Sequence, residues 1–182
     1  MKLEPMALPA AYLLAPEPLP DERGFFARTF DANELDKLGL EISYPQWSIS
    51  YNSKQGTLRG MHWQSEPHME TKLVQCIKGA VFDVIVDVRP QSETFGKWCS
   101  IELSEYNRYM LYIPEGFAHG FQTLEDKSEL LYHISVPFQP GGSRGIRWDD
   151  PDLAISWPFA DKRIISDRDL NLPLLADISN AP

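Results

Sequence analysis

The chain has 182 residues, of which 43% are hydrophobic and 24% charged, a balance typical of one folded domain spanning residues 1–182. Its net charge of −9 gives a surface that repels nucleic acid and anionic membranes. The chain has no apolar run of membrane-spanning length, and prolines interrupt its N-terminal apolar patch. We therefore expect a cytoplasmic protein without a signal peptide, with Cys76 and Cys99 as buried, reduced thiols.

Short apolar runs separated by proline and glycine predict a series of short β-strands. The first two cover 11–15 and 25–30, with a turn at 21–24 between them. Asp31 is the predicted N-cap of a short helix over 32–38, which Gly39 ends. The remaining predicted strands are 44–51, 57–64, 70–77, 80–88, 98–103, 110–113, 117–124 and 129–136. This spacing predicts an all-β sandwich or barrel, with tryptophan-bearing loops at 148–151 and 156–158 packed against it.

Alternation along three of these strands predicts which side chains share a face. The predicted faces are Glu70/Lys72/Val74/Cys76, Gly60/His62/Gln64 and Leu130/Tyr132/Ile134. If these faces line a barrel interior, His62, Lys72 and Tyr132 converge there. Arg59 lies three residues before His62, so a regular strand would point the two side chains in opposite directions. A β-bulge at Gly60 would redirect Arg59 towards the interior.

An imidazole, a guanidinium and an ammonium close together in the chain suit proton abstraction from an anionic substrate. From the residues alone, His62 is equally consistent with a structural histidine, and Tyr132 with either a core tyrosine or a proton donor. A metal site is the alternative, and it would require His62, Glu70 and His119 to converge. The charged run 166–169 is, taken alone, typical of a solvated surface.

Eight spaced segments of the chain form a set that points to one family. They are DERGFF at 21–26, GTLRGMHWQ at 56–64, KLVQC at 72–76, FDVIVDVR at 82–89, FGKW at 95–98, IPEGFAHGF at 113–121, RGIRWDDP at 144–151 and SDRDLNLPLL at 166–175. This set resembles the dTDP-4-dehydrorhamnose 3,5-epimerase family, in register from about residue 10 to residue 175. The resemblance implies a cupin-type double-stranded β-helix (jelly roll) with short peripheral helices. It also implies a homodimer with exchanged N-terminal strands, no metal or other cofactor, and a nucleotide diphosphate 4-keto-6-deoxy sugar as substrate.

The same resemblance assigns roles to individual residues. His62 matches the general base, and Asp169 matches the carboxylate that orients it. Tyr132 matches the proton donor on the opposite face of the sugar, and Lys72 matches the group that stabilises the enolate. The implied substrate contacts are Arg23, Phe26, Arg28, Gln46, Ser48, Arg59, His119, Phe138, Ser143 and Arg168.

Several positions depart from the usual pattern of the family, and most of them belong to the nucleotide-recognition set. Arg28 stands where glutamate is usual, Ser48 where asparagine is usual, and Ser143 where an acidic residue is usual. Glutamate accepts hydrogen bonds whereas arginine only donates them, so we predict that the base is not thymine or is held differently. Phe138 lacks the hydroxyl of the tyrosine often found there, which leaves open whether one or two carbons are epimerised.

The sequence therefore leaves three functions to compare. The first is an epimerase acting at C3, C5 or both of a nucleotide diphosphate 4-dehydro-6-deoxyhexose. The second is a nucleotide-sugar 3,4-ketoisomerase, and the third is a non-catalytic cupin that binds a sugar nucleotide. The complete set of His62, Lys72, Tyr132 and Asp169 favours epimerisation.

Overall fold

A computed structural model describes residues 1–179 of the chain. In chain order, the strands of this part are β1 (Lys2–Pro5), β2 (Tyr12–Ala15), β3 (Leu19–Asp21), β4 (Gly24–Phe26), β5 (Gln46–Asn52), β6 (Leu58–Gln64), β7 (Lys72–Lys78), β8 (Ala80–Asp87), β9 (Trp98–Ser104), β10 (Met110–Ile113), β11 (Phe117–Thr123), β12 (Ser128–Ile134) and β13 (Ser143–Gly145). The helices are α1 (Ala32–Asp36), α2 (Asp167–Leu170) and α3 (Leu175–Ser179).

These strands form two antiparallel sheets and a separate hairpin. The six-stranded sheet has the order β1-β2-β10-β7-β12-β5, and the five-stranded sheet has the order β13-β6-β11-β8-β9. Strands β3 and β4 pair only with each other. Neighbours in each sheet come from distant parts of the chain, as in a cupin jelly roll, so the predicted all-β cupin-type fold is confirmed.

The main hydrophobic core lies between the two sheets. One sheet contributes Val74, Cys76 and Leu130, which lie on the faces predicted from alternation, and the other contributes Ile85 and Phe121. All five side chains are at most 2% exposed. Burying a large aliphatic or aromatic side chain stabilises a fold by about 1.5–3 kcal/mol, so this layer fixes the distance between the sheets.

Two smaller cores cover the outer faces of the sheets. On the five-stranded sheet, Val84 and Val86 pack against Trp148, Trp157 and neighbouring residues of the C-terminal segment. This agrees with the prediction that the tryptophan-bearing loops pack against the strands. On the six-stranded sheet, Leu35 of α1 belongs to a third cluster. Within residues 1–179, the longest helices have only five residues, and no helix could cross a membrane.

The main differences from the predicted elements occur at ends and in irregular segments. The strand predicted over 25–30 ends at Phe26, because its only partner is the three-residue strand β3. The predicted helix begins after its Asp31 cap but ends at Asp36 instead of Leu38. Strands β1, β3 and β13 were not predicted, because each has only three or four residues and contains a proline or a glycine that interrupts the apolar pattern.

A buried carboxylate at the end of β8 leads to a prediction about acid stability. Burial alone would raise the pKa of Asp87, but hydrogen bonds from Arg89, Ser92 and Thr94 lower it to about 2. The ionised form therefore stabilises the fold above about pH 4, and this contribution is lost as the pH falls towards 2. We expect Asp87→Asn to reduce the free energy of unfolding at pH 7 by roughly 2 kcal/mol, with a smaller difference at pH 3.

Urea unfolding at the two pH values measures this effect. Asp149→Asn is the matched control, because Asp149 pairs with Arg147 on the exposed surface, where ion pairs contribute little. An Asp87→Asn variant that is as stable as the parent protein at pH 7 would contradict the assignment.

Candidate functional site

A cavity of about 330 Å³ lies between the two sheets and is closed on one side by α2. Its walls carry Arg59, His62, Lys72, His119, Phe121, Tyr132, Ile134, Ser166, Arg168 and Asp169. His62 is on β6 of the five-stranded sheet and Tyr132 is on β12 of the six-stranded sheet. The imidazole and the phenol thus belong to opposite walls of one cavity. A groove of about 980 Å³ elsewhere is larger, but its lining contains neither histidine nor lysine.

The bulge expected at Gly60 is present. His119 of β11 faces His62 of β6, whereas Phe121 faces Arg59, so β6 has one extra residue between these pairs. Gly60 has φ +131°, a conformation that side chains rarely adopt. The extra residue lets both Arg59 and His62 reach the cavity in spite of their three-residue spacing.

His62 and Asp169 form a hydrogen-bonded dyad. Nε2 of His62 lies 2.8 Å from Oδ1 of Asp169, while the other carboxylate oxygen accepts from the backbone N–H of Gly60. The backbone N–H of Asp169 in turn donates to Oγ of Ser166, the N-cap of α2. Because an ionised carboxylate only accepts, the proton of neutral His62 is on Nε2, and Nδ1 carries the free lone pair.

The charge of Asp169 is maintained although its side chain is buried. Burial alone would raise the pKa of this carboxyl, but the hydrogen bonds from His62 and from the backbone N–H of Gly60 lower it below the usual range. The carboxylate therefore stays ionised at neutral pH and holds the imidazole in one orientation.

Tyr132 remains a neutral phenol in this environment. Burial, together with the nearby charge of Asp83, raises its pKa well above 10, which the positive charge of Arg59 only partly offsets. The ring lies edge-on to His119, with 5.9 Å between centroids. At neutral pH its hydroxyl can donate a proton into the cavity.

Two further side-chain pairs line or adjoin the cavity. His119 Nε2 lies 2.9 Å from the fully buried carboxylate of Asp83, and Lys72 Nζ lies 2.9 Å from Glu70. Oε2 of Glu70 also accepts a 2.8 Å hydrogen bond from Gln64. The ammonium of Lys72 thus lies at the cavity wall, where it is already paired with one carboxylate.

The two guanidinium groups of the cavity have neutral hydrogen-bond partners. Nε of Arg59 donates to the amide oxygen of Asn52 at 2.8 Å, and Nη2 of Arg168 donates to Oγ of Ser143 at 3.0 Å. Since neither hydrogen bond neutralises the charge, both arginines can pair with an anionic ligand. They provide the local positive charge that a chain of net charge −9 needs in order to bind an anion.

The other predicted substrate contacts lie outside the cavity lining. Gln46 and Phe138 are joined by a hydrogen bond from the Phe138 N–H to Oε1 of Gln46, and Ser48 lies opposite Tyr132 on the neighbouring strand. Phe26, on the β3–β4 hairpin, is 74% exposed. Two predicted contacts pair with acidic neighbours on the surface, Arg23 with Asp21 and Arg28 with Asp31.

Only two of the three ligands of the alternative metal site, His62 and His119, line the cavity. His62 and His119 each contact a different carboxyl group, and Glu70 is paired with Lys72. Within residues 1–179, no group of three histidine, cysteine, aspartate or glutamate residues has a geometry that could hold a metal ion.

Sequence reasoning missed several supporting residues. The run at 166–169, which taken alone is typical of a solvated surface, contributes the N-cap and most of α2 and buries Asp169 in the dyad. Asp83 was missed, although a charged residue inside the apolar strand β8 signals a buried partner. No local pattern pointed to Asn52, whose contact with Arg59 depends on the bulge.

Comparison with known proteins identifies the family. The family model described as dTDP-4-dehydrorhamnose 3,5-epimerase matches residues 5–177. The dTDP-4-dehydrorhamnose 3,5-epimerase of Sinorhizobium fredii is 38% identical over 178 residues, covering 98% of this chain and 91% of the relative.

Two solved structures have the same fold. The crystal structure of the epimerase from Elizabethkingia anophelis superposes with a TM-score of 0.94 at 37% identity, covering 97% of each chain. The epimerase from Bacillus anthracis, solved with TDP and PPi bound, gives a TM-score of 0.90 at 40% identity, covering 95% of this chain and 98% of that one. This chain therefore belongs to the dTDP-4-dehydrorhamnose 3,5-epimerase family.

Proposed function

We propose that the protein is an epimerase that inverts C3, C5 or both in a nucleotide diphosphate 4-dehydro-6-deoxyhexose. The observation that carries this proposal is the placement of His62 and Tyr132 on opposite walls of one cavity. Inversion of a carbon requires a base on one side of the sugar ring and an acid on the other. An imidazole with a free Nδ1 and a neutral phenol meet these two requirements.

The reaction proceeds through an enolate. Nδ1 of His62 removes the proton from the carbon next to the C4 ketone, and the resulting negative charge moves to the ketone oxygen. The ammonium of Lys72 stabilises that oxygen, and Asp169 stabilises the imidazolium that forms. Tyr132 then delivers its proton to the opposite face of the same carbon, which completes the inversion. These steps need only side chains of this protein.

The remaining residues of the site hold the substrate. Arg59 and Arg168 pair with the diphosphate, because their hydrogen-bond partners in the protein are neutral. His119, held by Asp83, contributes a further hydrogen bond at the cavity wall. Phe138 is 59% exposed and provides a free ring face for stacking on the sugar or base.

Incubation of the protein with a 4-keto-6-deoxy sugar nucleotide in D₂O tests this function. Incorporation of deuterium at C3 or C5, measured by NMR, supports the epimerase function and also shows which carbons react. If sugar nucleotides with several different bases bind tightly but gain no deuterium at C3 or C5, the protein is a non-catalytic binding module and the proposal is overturned. Movement of the ketone from C4 to C3 would instead identify a ketoisomerase.

We also propose that the nucleotide base differs from thymine or is held differently. Arg28, Ser48 and Ser143 carry this proposal, since a guanidinium and two hydroxyls replace acceptor-rich groups. The side chain of Arg28 is 64% exposed and is paired with Asp31 at the surface, so it can turn towards a bound base. We expect at least a tenfold preference, equivalent to about 1.4 kcal/mol, for one base among the dTDP, UDP, CDP and GDP sugars.

Competition of the four nucleoside diphosphates against one labelled sugar nucleotide measures this preference. Equal affinity for all four nucleoside diphosphates would contradict the proposal. A clear preference for dTDP that both Arg28→Glu and Ser48→Asn retain would also contradict it.

We further propose a cytoplasmic homodimer. Trp47, Ile49 and Tyr51 on one side of the edge strand β5 are all more than half exposed. The β3–β4 hairpin, with Phe26 exposed, pairs with neither sheet and is suited to exchange between subunits. The free thiols of Cys76 and Cys99 fit a reducing compartment. Sedimentation at a mass near 20.8 kDa, that of one chain, at micromolar concentration would contradict the dimer.

A further inference from the structure

The carboxylate of Glu70 joins the cavity to the loop that follows β12. Its Oε1 lies 2.9 Å from Nζ of Lys72, and its Oε2 accepts the 2.8 Å hydrogen bond from Nε2 of Gln64. The side chains of Glu70 and Lys72 are each only 10% exposed. Both oxygens are therefore engaged in a partly desolvated setting, where an ion pair is stronger than at the surface.

Gln64 continues this chain of contacts to the loop. With its amide nitrogen donating to Glu70, its amide oxygen faces the other way and accepts from the backbone N–H of Gln139 at 3.4 Å. Gln139 follows Phe138, whose own N–H is held by Gln46. A carboxylate at position 70 fixes the orientation of the Gln64 amide, because a carboxylate only accepts hydrogen bonds.

We infer that Glu70 is a positioning residue for the reaction, holding the ammonium of Lys72 at the cavity wall and tying it through Gln64 to the loop at Gln139. An ammonium has three N–H donors, so the bond to Glu70 leaves others for the ketone oxygen. Lys72 has a long, flexible side chain, and without this bond its ammonium has several rotamers available. The inference rests on the proposed epimerase function, in which Lys72 stabilises the enolate.

Glu70→Gln is the informative variant, because it keeps the shape of the side chain and removes the charge. In the new side chain, an amide nitrogen replaces one of the two carboxylate oxygens. That nitrogen is itself a donor, so it faces either the ammonium of Lys72 or the amide nitrogen of Gln64 without accepting a hydrogen bond. We expect kcat for the sugar nucleotide to fall roughly 10- to 100-fold, since a displacement of about 1 Å at a reacting group has an effect of this size. The affinity for the corresponding nucleoside diphosphate, which has no ketone, is expected to stay unchanged.

Glu129→Gln is the matched control. Glu129 pairs with Lys78 at 3.6 Å on the exposed surface, so the change removes the same type of ion pair outside the cavity. We expect this variant to keep the parent kcat. A purely structural role for Glu70 would instead lower kcat and nucleoside diphosphate affinity together, and that result, or an unchanged kcat in Glu70→Gln, overturns the inference.

Crystal structures of the parent protein and of Glu70→Gln give a second readout that does not depend on activity. Displacement of Nζ of Lys72 by more than about 1 Å, with the Gln64–Gln139 hydrogen bond lost, supports the inference. An ammonium in its original position overturns it. If the parent protein exchanges no proton in any of the four sugar nucleotides, the epimerase proposal fails, and the two structures still decide whether Glu70 positions Lys72.

Discussion

Replacing His62 by asparagine is expected to lower the rate of deuterium incorporation at the epimerised carbon by roughly 10²- to 10⁴-fold, the usual contribution of a general base. Asparagine is smaller than histidine, and its amide has no basic nitrogen. The change therefore removes the proton acceptor, while Asp169 keeps the hydrogen bond from the backbone N–H of Gly60. NMR of the sugar nucleotide in D₂O gives the rate directly.

Two measurements distinguish loss of the base from loss of the site. The affinity of His62→Asn for the nucleoside diphosphate should match that of the parent protein, because Arg59 and Arg168 are intact. His68→Asn is the matched control, since His68 lies in the turn between β6 and β7 and outside the cavity lining. Exchange by His62→Asn at more than about a tenth of the parent rate would remove His62 from the role of base.

Replacing Tyr132 by phenylalanine is expected to separate proton exchange from inversion. The ring stays, but the hydroxyl that delivers the proton to the opposite face is lost. His62 can still remove a proton and return deuterium on its own side, so label enters with retained configuration. We expect formation of the inverted sugar to fall by roughly 10²-fold or more, while incorporation of label falls much less.

The pH profile and a surface tyrosine provide the controls for this variant. The pKa of Tyr132 lies well above 10, so the parent phenol stays protonated to at least pH 10 and causes no loss of rate below that pH. Tyr106→Phe, at a 76% exposed position, should leave both rates unchanged. Inversion by Tyr132→Phe at the parent rate would show that another group donates the proton.

The sequence predicted most of the strands because their packing follows the period of two that alternation reveals. β8 was recognised from the regular spacing of Phe82, Val84 and Val86, and the fully buried β10 was recognised as a short apolar run over Met110–Ile113. Elements without such a period were missed. Three of the four residues of helix α2 are charged, and Asp169 is buried through hydrogen bonds to His62 and Gly60, which are distant in the chain.

The site was predictable where neighbours along one strand determine it. The spacing of Arg59 and His62, with Gly60 between them, indicated a bulge in this strand. The partner of the imidazole was not predictable in this way, because Asp169 lies 107 residues away and only the family resemblance indicated it. The pairing of Lys72 with Glu70 was likewise invisible, since alternation places two side chains on one face without showing that they touch.

The C-terminal segment covers the outer face of the five-stranded sheet and also carries Asp169. A single stretch of chain thus supplies part of the scaffold and the group that orients the base. Residues 146–179 add no strand to the sheet, so this segment can open locally while the backbone ladders stay intact. Mild denaturant or a protease that detaches the C-terminal segment would therefore abolish activity before the β-sheet circular dichroism signal declined. Activity is thus a more sensitive measure of damage to this protein than its secondary structure.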